Sequence, residues 1–275
     1  MRLFKLLATL AVASALAGCL QSATVVHVKA DGSGTIETTT TMSQAALAQM
    51  KAMAESFGGK EGAAKGGGFD MFSAEQLKAA AARMGEGVTF VSSEKIKTAD
   101  AEGAKAVYAF KDVTKLRLSE KPAAGGSGQP GTPSPGGSDP ENISFRFARL
   151  PDGTSRLTLV SPELKPGSER PDKQAAENVN PNDPQFQMIK TMFKGLKIGI
   201  DVVVDGRIIK TNSPYVTGNR VTVLEMDFDQ LLSDESKLVQ MQGINSVEEA
   251  KRVLQNVKGF KINTDREVNI DFVGR

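Results

Sequence analysis

Cysteine, histidine and tryptophan are almost missing from this chain of 275 residues, which contains one Cys, one His and no Trp. A single cysteine has no partner for an intramolecular disulfide and supplies only one thiolate to a metal site. Cys19 is therefore a small buried side chain, a nucleophile or a point of covalent attachment. Tyr is limited to two residues. The scarcity of Trp and Tyr disfavours a sugar-binding cleft, because such clefts stack sugars on exposed rings.

The one histidine, His27, lies between Val26 and Val28 in a β-branched run. A Ser-His-Asp triad needs a histidine that is aligned by a carboxylate and faces a nucleophile, and no G-x-S-x-G motif precedes a predicted helix. We interpret His27 as a side chain on a strand face. The sequence predicts no catalytic residue and no cofactor.

The first 18 residues have the layout of a secretory signal peptide. Arg2 and Lys5 precede an apolar run from Leu6 to Leu16, which small residues follow. The run is shorter than the roughly 20 apolar residues that span a bilayer, so it predicts a cleaved segment. No second apolar stretch of transmembrane length follows it.

The end of this segment, Leu16-Ala17-Gly18-Cys19, resembles the lipobox of bacterial lipoproteins. In that family the cysteine sulfur receives a diacylglycerol, the peptidase cleaves before the cysteine, and the new amino group is usually acylated. The alternative is an ordinary signal peptide with a chance cysteine. The resemblance implies a membrane as partner through the acyl chains on Cys19, since two or three chains anchor stably while one is marginal. Leu20 in place of Asp implies, by analogy with proteobacterial sorting, an outer-membrane protein that faces the periplasm.

The charge of the mature chain is close to zero. Removal of the signal would leave 32 Lys and Arg against 32 Asp and Glu. Nucleic-acid binding draws much of its affinity from clustered Lys and Arg on phosphates. The balance therefore predicts no nucleic-acid partner.

Alternating β-branched and polar residues predict a sheet built from hairpins. A first hairpin (24–42) turns at "DGSG", a second spans 143–161, and a third turns at Asp205-Gly206. Further strands are predicted at 88–97, 104–118 with a break near Asp112, 220–228 with a phase shift, and 267–272. Helices are predicted at 43–57, 73–84, 185–195 and 246–257 from capping residues and apolar spacing. The predicted class is α+β, a mainly antiparallel sheet with three to four packed helices.

The predicted organisation is a signal peptide (1–18), an acylated tether (19–23) and a single domain (24–275). Residues 120–142 are rich in Pro, Gly and Ser and are predicted to be a disordered loop, because this composition buries too little apolar surface. The loop is placed within one sheet, since the amphipathic strands after it need neighbours to cover them.

The stretch "DVVVDGRIIKTNSPYVTGNRVTVLEMDFD" resembles LppM-type bacterial lipoprotein domains. The matching positions are Gly206, Asn212, Gly218, Asn219 and Val221. Leu224 replaces an aromatic residue that often closes the family strand. The resemblance implies an α+β lipoprotein domain, with lipid or glycolipid binding proposed for some members and no catalytic residues.

Two residue groups suggest metal chemistry, and both have a structural alternative. Met42, Met50 and Met53 carry soft thioethers suited to Cu(I), but methionine also fills core gaps. Glu225, Asp227 and Asp229 would share one strand face, either solvated or holding calcium, and Asp234 and Glu235 follow. The EF-hand spacing is missing, so we predict no metal site.

The sequence therefore predicts a non-enzymatic, lipid-anchored envelope protein that binds a lipid or another apolar ligand. The helices at 43–57 and 185–195, rich in Met and Phe, would enclose the ligand with the sheet. One alternative is a structural module that assembles with envelope proteins through a sheet edge. Another is a hydrolase that uses a carboxylate pair.

Overall fold

The computed structural model describes residues 20–48, 72–119, 142–162, 193–233, 253, 257–263 and 265–274. Strands dominate these residues. The longer helical segments among them are residues 44–48, α1 (Ala74–Met84) and α2 (Phe228–Leu232). The fold is thus mainly β, and the expectation of three to four packed helices fits it only loosely. Most of the helices predicted at 43–57, 185–195 and 246–257 lie outside the described residues.

Thirteen strands are described. They are β1 (Leu20–Val28), β2 (Gly34–Ser43), β3 (Thr89–Lys97), β4 (Ala101–Phe110), β5 (Arg117–Ser119), β6 (Asn142–Arg149), β7 (Ser155–Val160), β8 (Lys197–Val204), β9 (Gly206–Thr211), β10 (Val216–Thr217), β11 (Arg220–Asp227), β12 (Phe260–Ile262) and β13 (Glu267–Gly274). A large sheet has the order β10-β11-β8-β1-β2-β4-β3, with β12 beside β11. A small sheet has the order β5-β6-β7-β13-β9. Among these thirteen strands, β1 and β8 pair in parallel and the other pairs are antiparallel.

The strands follow the two-residue period of their apolar side chains. In β8 the buried positions are Ile198, Ile200, Val202 and Val204, and the residues between them are partly exposed. Alternate side chains of a strand point to opposite faces of the sheet. One face of the large sheet therefore joins a cluster of buried apolar side chains, to which the small sheet contributes Ile143, Leu157 and Phe272.

Helix α1 covers part of this cluster. The Ser73 hydroxyl accepts a hydrogen bond from Gln76 N at 3.3 Å, so the predicted helix start is confirmed. Leu77, Ala80 and Met84 pack against the core. The hydroxyl of buried Tyr108 on β4 donates to the Leu77 carbonyl oxygen at 3.1 Å, which ties the helix to the sheet.

Several local expectations are confirmed. Asp31 accepts a hydrogen bond from Ser33 N at 2.9 Å in the turn between β1 and β2. The break near Asp112 is a short 3-10 helix, Val113–Lys115, that Asp112 caps. The register of β11 shifts between Thr222 and Leu224. Residues 120–141 lie outside the described part of the chain, and the strands on either side of them, β5 and β6, pair with each other.

The predicted third hairpin is wrong. β8 and β9 are consecutive, but β8 pairs with β1 and β11 while β9 pairs with β13. At Gly206, with φ 155°, the chain leaves the large sheet for the small one. A Cβ at this position would collide with the Val273 carbonyl oxygen. The glycine is needed for the close approach of β13 and not for a hairpin turn.

Gly34 provides a test of the first hairpin. A Cβ at Gly34 would collide with the His27 carbonyl oxygen and lie 2.7 Å from Phe110 Cζ, whereas nothing lies within 4 Å of one at Gly199. We expect Gly34→Ala to lower the free energy of unfolding by about 2 kcal/mol or more, as overpacking does. Gly199→Ala on β8 is the control and should change it far less. Urea denaturation measures both, and equal effects would contradict the close packing around Gly34.

Candidate functional site

The lipobox positions Leu16, Ala17, Gly18 and Cys19 lie outside the described residues, and the next residue is already part of the large sheet. Leu20 is the first residue of β1; it pairs with Met42 and is only 8% exposed. The tether was expected at 19–23, and for its described residues, 20–23, that expectation is wrong. These residues are strand, because their backbone groups bond to β2 on one side and, from Gln21 onward, to β8 on the other.

The position that follows Cys19 lies in the middle of one end of the large sheet. β1 is the central strand in the order of seven. Gln21 pairs with Thr41 on one side and Lys197 on the other, and Lys197 pairs with Asp227. We call this surface the Leu20 end. It consists of the strand termini Leu20, Ser43, Lys97, Ala101, Lys197 and Asp227, the segments 44–48, 98–100 and 193–196, and helix α2.

On the β2 side, the Leu20 end is closed by a capped helical turn. Met42 and Ser43 are buried. The Ser43 hydroxyl accepts a hydrogen bond from Ala46 N at 3.2 Å, as the predicted N-cap would. Gln44 N donates to the Asp100 carbonyl oxygen at 2.9 Å, which joins this turn to the β3–β4 connection.

On the β8 side, acidic side chains hold the strand ends together. Asp227 binds Lys197 Nζ at 2.9 Å, and this bond raises the pKa of Lys197. The same carboxylate accepts a hydrogen bond from Asp229 N at 3.1 Å and caps α2. Asp229 in turn accepts one from Gly195 N at 2.7 Å. These two carboxylates connect β8, β11 and α2.

A small aromatic cluster lies beside these bonds. The rings of Phe193 and Phe228 are stacked with centroids 5.2 Å apart, and the Phe260 ring meets Phe228 edge-on at 5.6 Å. Leu231 and Val257 complete the cluster, and the partly buried Met226 and Ile262 pack against both it and the main core. No local sequence pattern links Phe193, Phe228 and Phe260, because more than 30 residues separate each from the next.

The expected face of three carboxylates exists only in part. Glu225 and Asp227 lie on β11, but Asp229 lies in α2, because Asp227 ends the strand by capping that helix. Glu225 binds Lys261 Nζ at 2.7 Å. Asp234 and Glu235 lie outside the described residues. Among the described side chains, no three His, Cys, Asp or Glu residues are grouped to hold a metal ion.

His27 and Met42, two other candidate site residues, lie on strands β1 and β2. His27 is exposed on β1, opposite Thr35 of β2 and Val203 of β8. Met42 is buried at the Leu20 end. Met50 and Met53 lie outside the described residues.

The five positions that match the LppM-type pattern have structural roles: they lie in turns, form hydrogen bonds between strands or are buried in the core. Gly206 starts β9, as described above, and Gly218 has φ 62° in the turn before β11. The side chain of Asn212 accepts a hydrogen bond from Asn269 N at 2.8 Å and donates one to Glu267 O at 2.9 Å. Asn219 donates to Val204 O at 2.8 Å. Val221 is fully buried.

Comparison with models of protein families, with characterised proteins and with solved structures found no match for this chain. Within the described part of the chain, no helix has the length and apolar character required to cross a bilayer.

Two substitutions of Asp227 distinguish the contribution of its ion pair with Lys197 from that of its cap on helix α2. Asp227→Ala removes the ion pair and the cap, and we expect it to lower the free energy of unfolding by about 1 kcal/mol. Asp227→Asn keeps an equally good cap and loses only an ion pair with a half-exposed lysine, so its cost should stay below about 0.5 kcal/mol. Urea denaturation of both variants measures the difference. Equal losses would mean that the cap contributes nothing to the stability of this end.

Proposed function

We propose that this chain is a bacterial lipoprotein, anchored through acyl chains on Cys19, whose β-rich body is a non-enzymatic binding module of the cell envelope. The observation that carries the proposal is the sequence Leu16-Ala17-Gly18-Cys19 at the end of a basic and then apolar segment. The start of β1 directly after Cys19 is compatible with cleavage at that point. Leu20 at the next position favours the outer membrane, with the body in the periplasm.

The proposed ligand is a lipid or another apolar molecule. The segments 43–57 and 185–195, predicted as helices rich in Met and Phe, adjoin β2 and β8 at the two sides of β1. Both therefore join the sheet at the Leu20 end, next to the proposed anchor. A ligand held between them would lie close to the membrane from which a lipid is taken. The resemblance to LppM-type domains points to the same ligand class.

The described carboxyl groups with a resolved pKa shift give no support to a carboxylate hydrolase. A general-acid carboxyl needs a raised pKa. The described carboxyl groups with a resolved shift all have lowered pKa values, because hydrogen bonds from neighbouring groups stabilise their charged forms, as the Arg156 guanidinium does for Asp271. Asp271 accepts two such bonds, at 2.6 and 2.7 Å. These groups suit turns and ion pairs.

A second candidate function is assembly with another envelope protein through a sheet edge. β3 ends the strand order of the large sheet, and its Val91 is 56% exposed. Edge strands can pair with an added strand from a partner. The bulge between Phe90 and Ser92 and the lysines at 95 and 97 are features that oppose such pairing. The apolar-ligand proposal therefore comes first.

Acylation is tested by Cys19→Ser in a bacterial host. We expect the wild-type N-terminal peptide to carry the mass of a diacylglycerol and an acyl chain and to fractionate with membranes, while the variant loses both properties. Gln21→Ser, two residues further on, is the control and should behave as wild type. Mass spectrometry and fractionation measure the outcome. A soluble, unmodified wild-type protein would contradict the proposal.

Ligand binding is tested on the mature chain from residue 20, which has no acyl anchor. We expect the purified, folded protein to release a bound lipid on extraction, identified by mass spectrometry, and to bind a fluorescent fatty-acyl probe. A folded protein that contains no lipid and does not bind the probe would contradict the apolar-ligand proposal. It would favour the second candidate, assembly through a sheet edge.

A further inference from the structure

We infer that the Leu20 end of the large sheet lies against the membrane surface, so that the sheet stands on the bilayer with its strands pointing away from it. The inference rests on the proposed acylation of Cys19. It adds an interaction surface and an orientation that acylation alone does not specify, because a lipoprotein on a flexible tether has no fixed orientation.

The connection between Cys19 and the folded body is too short to be a flexible tether. Consecutive Cα atoms are about 3.8 Å apart, and Leu20 is fixed in the sheet by its pairing with Met42. No residues remain to act as a spacer between the acylated Cys19 and the folded body. The acyl chains enter the bilayer at the anchor, so the backbone of Leu20 must lie within a few residue lengths of the lipid headgroups.

β1, which follows the proposed anchor, has a central position in the large sheet. Three strands of the order lie on each side of it. β10 pairs with the start of β11, far from Leu20, and at the Leu20 end β12 takes its place beside β11. With seven strands about 4.8 Å apart, this end is about 30 Å wide and is anchored at its midpoint. If the body tilts toward β3, the segments 44–48 and 98–100 approach the bilayer, and if it tilts the other way, 193–196 and α2 do. Contact on both sides therefore limits the tilt.

The chemistry of this surface suits a membrane. Ala45, Ala48 and Ala99 are exposed there, and the stacked rings of Phe193 and Phe228 are half-buried. The lysines at the strand ends have acidic partners: Lys197 binds Asp227 at 2.9 Å, and Lys97 binds Glu102 at 2.8 Å. Small, aromatic and charge-paired side chains can approach headgroups without removing an isolated charge from water. Lys194 and Asp100 are also exposed at this end, and an exposed lysine is favoured beside anionic headgroups.

In this orientation the opposite end of the sheet lies far from the bilayer. β4 runs from Ala101 at the Leu20 end to Phe110 at the other, and ten residues at about 3.3 Å each span roughly 30 Å. The turn at 29–33, Lys111 and Asp205 lie at this far end. They are the surfaces that a partner in the surrounding compartment would reach first.

The test uses single-cysteine labels on the acylated protein. Ala99→Cys and Lys111→Cys place one exposed thiol just beyond either end of β4, and Cys19 does not react because its sulfur is acylated. Each variant carries an environment-sensitive fluorophore and is reconstituted into vesicles of phosphatidylethanolamine and phosphatidylglycerol that contain a headgroup nitroxide lipid. We expect the label at 99 to lose most of its fluorescence and the label at 111 to keep it.

Inserting a flexible Gly-Ser spacer between Cys19 and Leu20 of the Ala99→Cys protein should restore much of the lost fluorescence. Equal quenching at the two positions, or stronger quenching at 111, would overturn the orientation. So would a label at 99 that neither the nitroxide lipid nor aqueous iodide quenches, since protein would then cover the Leu20 end. Mass spectrometry of the N-terminal peptide separates these results from a failure of acylation, which would refute the proposed function itself.

Discussion

The double pairing of β1 is the constraint on which the large sheet depends. Its backbone bonds to β2 along its full length on one side and to β8 from Gln21 onward on the other. Without β1 the sheet would separate into a β3–β4–β2 part and a β8–β11 part. The fully buried Val26 and Val28 belong to the core that both sheets share. One strand therefore holds the sheet together and also carries the position next to the proposed anchor.

The small sheet is joined to the large one near the end opposite Leu20. The chain passes between the sheets after Phe110, through the 3-10 helix, and again at Asp205-Gly206. The carbonyl oxygen of Ala30 accepts hydrogen bonds from Ser155 Oγ at 3.0 Å and from Arg149 Nη2 at 3.1 Å. These contacts tie the turn after β1 to the β6–β7 hairpin.

Local patterns predicted the features that depend on neighbouring residues. The hairpins β1–β2 and β6–β7, the Ser73 cap and the break at Asp112 each follow from a short stretch of sequence. The pairing of β8 with β1 does not follow from any short stretch of sequence. Taken alone, Asp205-Gly206 also fits a hairpin turn that would pair β8 with β9. The start of β1, "QSA", has no apolar alternation, so the sequence pattern did not indicate a strand there. Cys19 was singled out from the sequence alone, whereas the fold was needed to show that the next residue, Leu20, begins a central strand.

The parallel pair β1–β8 also has a consequence for the order in which the molecule forms. β2 follows β1 after a short turn, whereas β8 is separated from it by most of the chain. Closing so large a loop is entropically costly and slow, and non-local strand pairing lowers folding rates. Until β8 arrives, one side of β1 exposes unpaired N–H and C=O groups, which is the kind of edge that promotes aggregation. The first strand of the body to emerge is thus among the last to be completed.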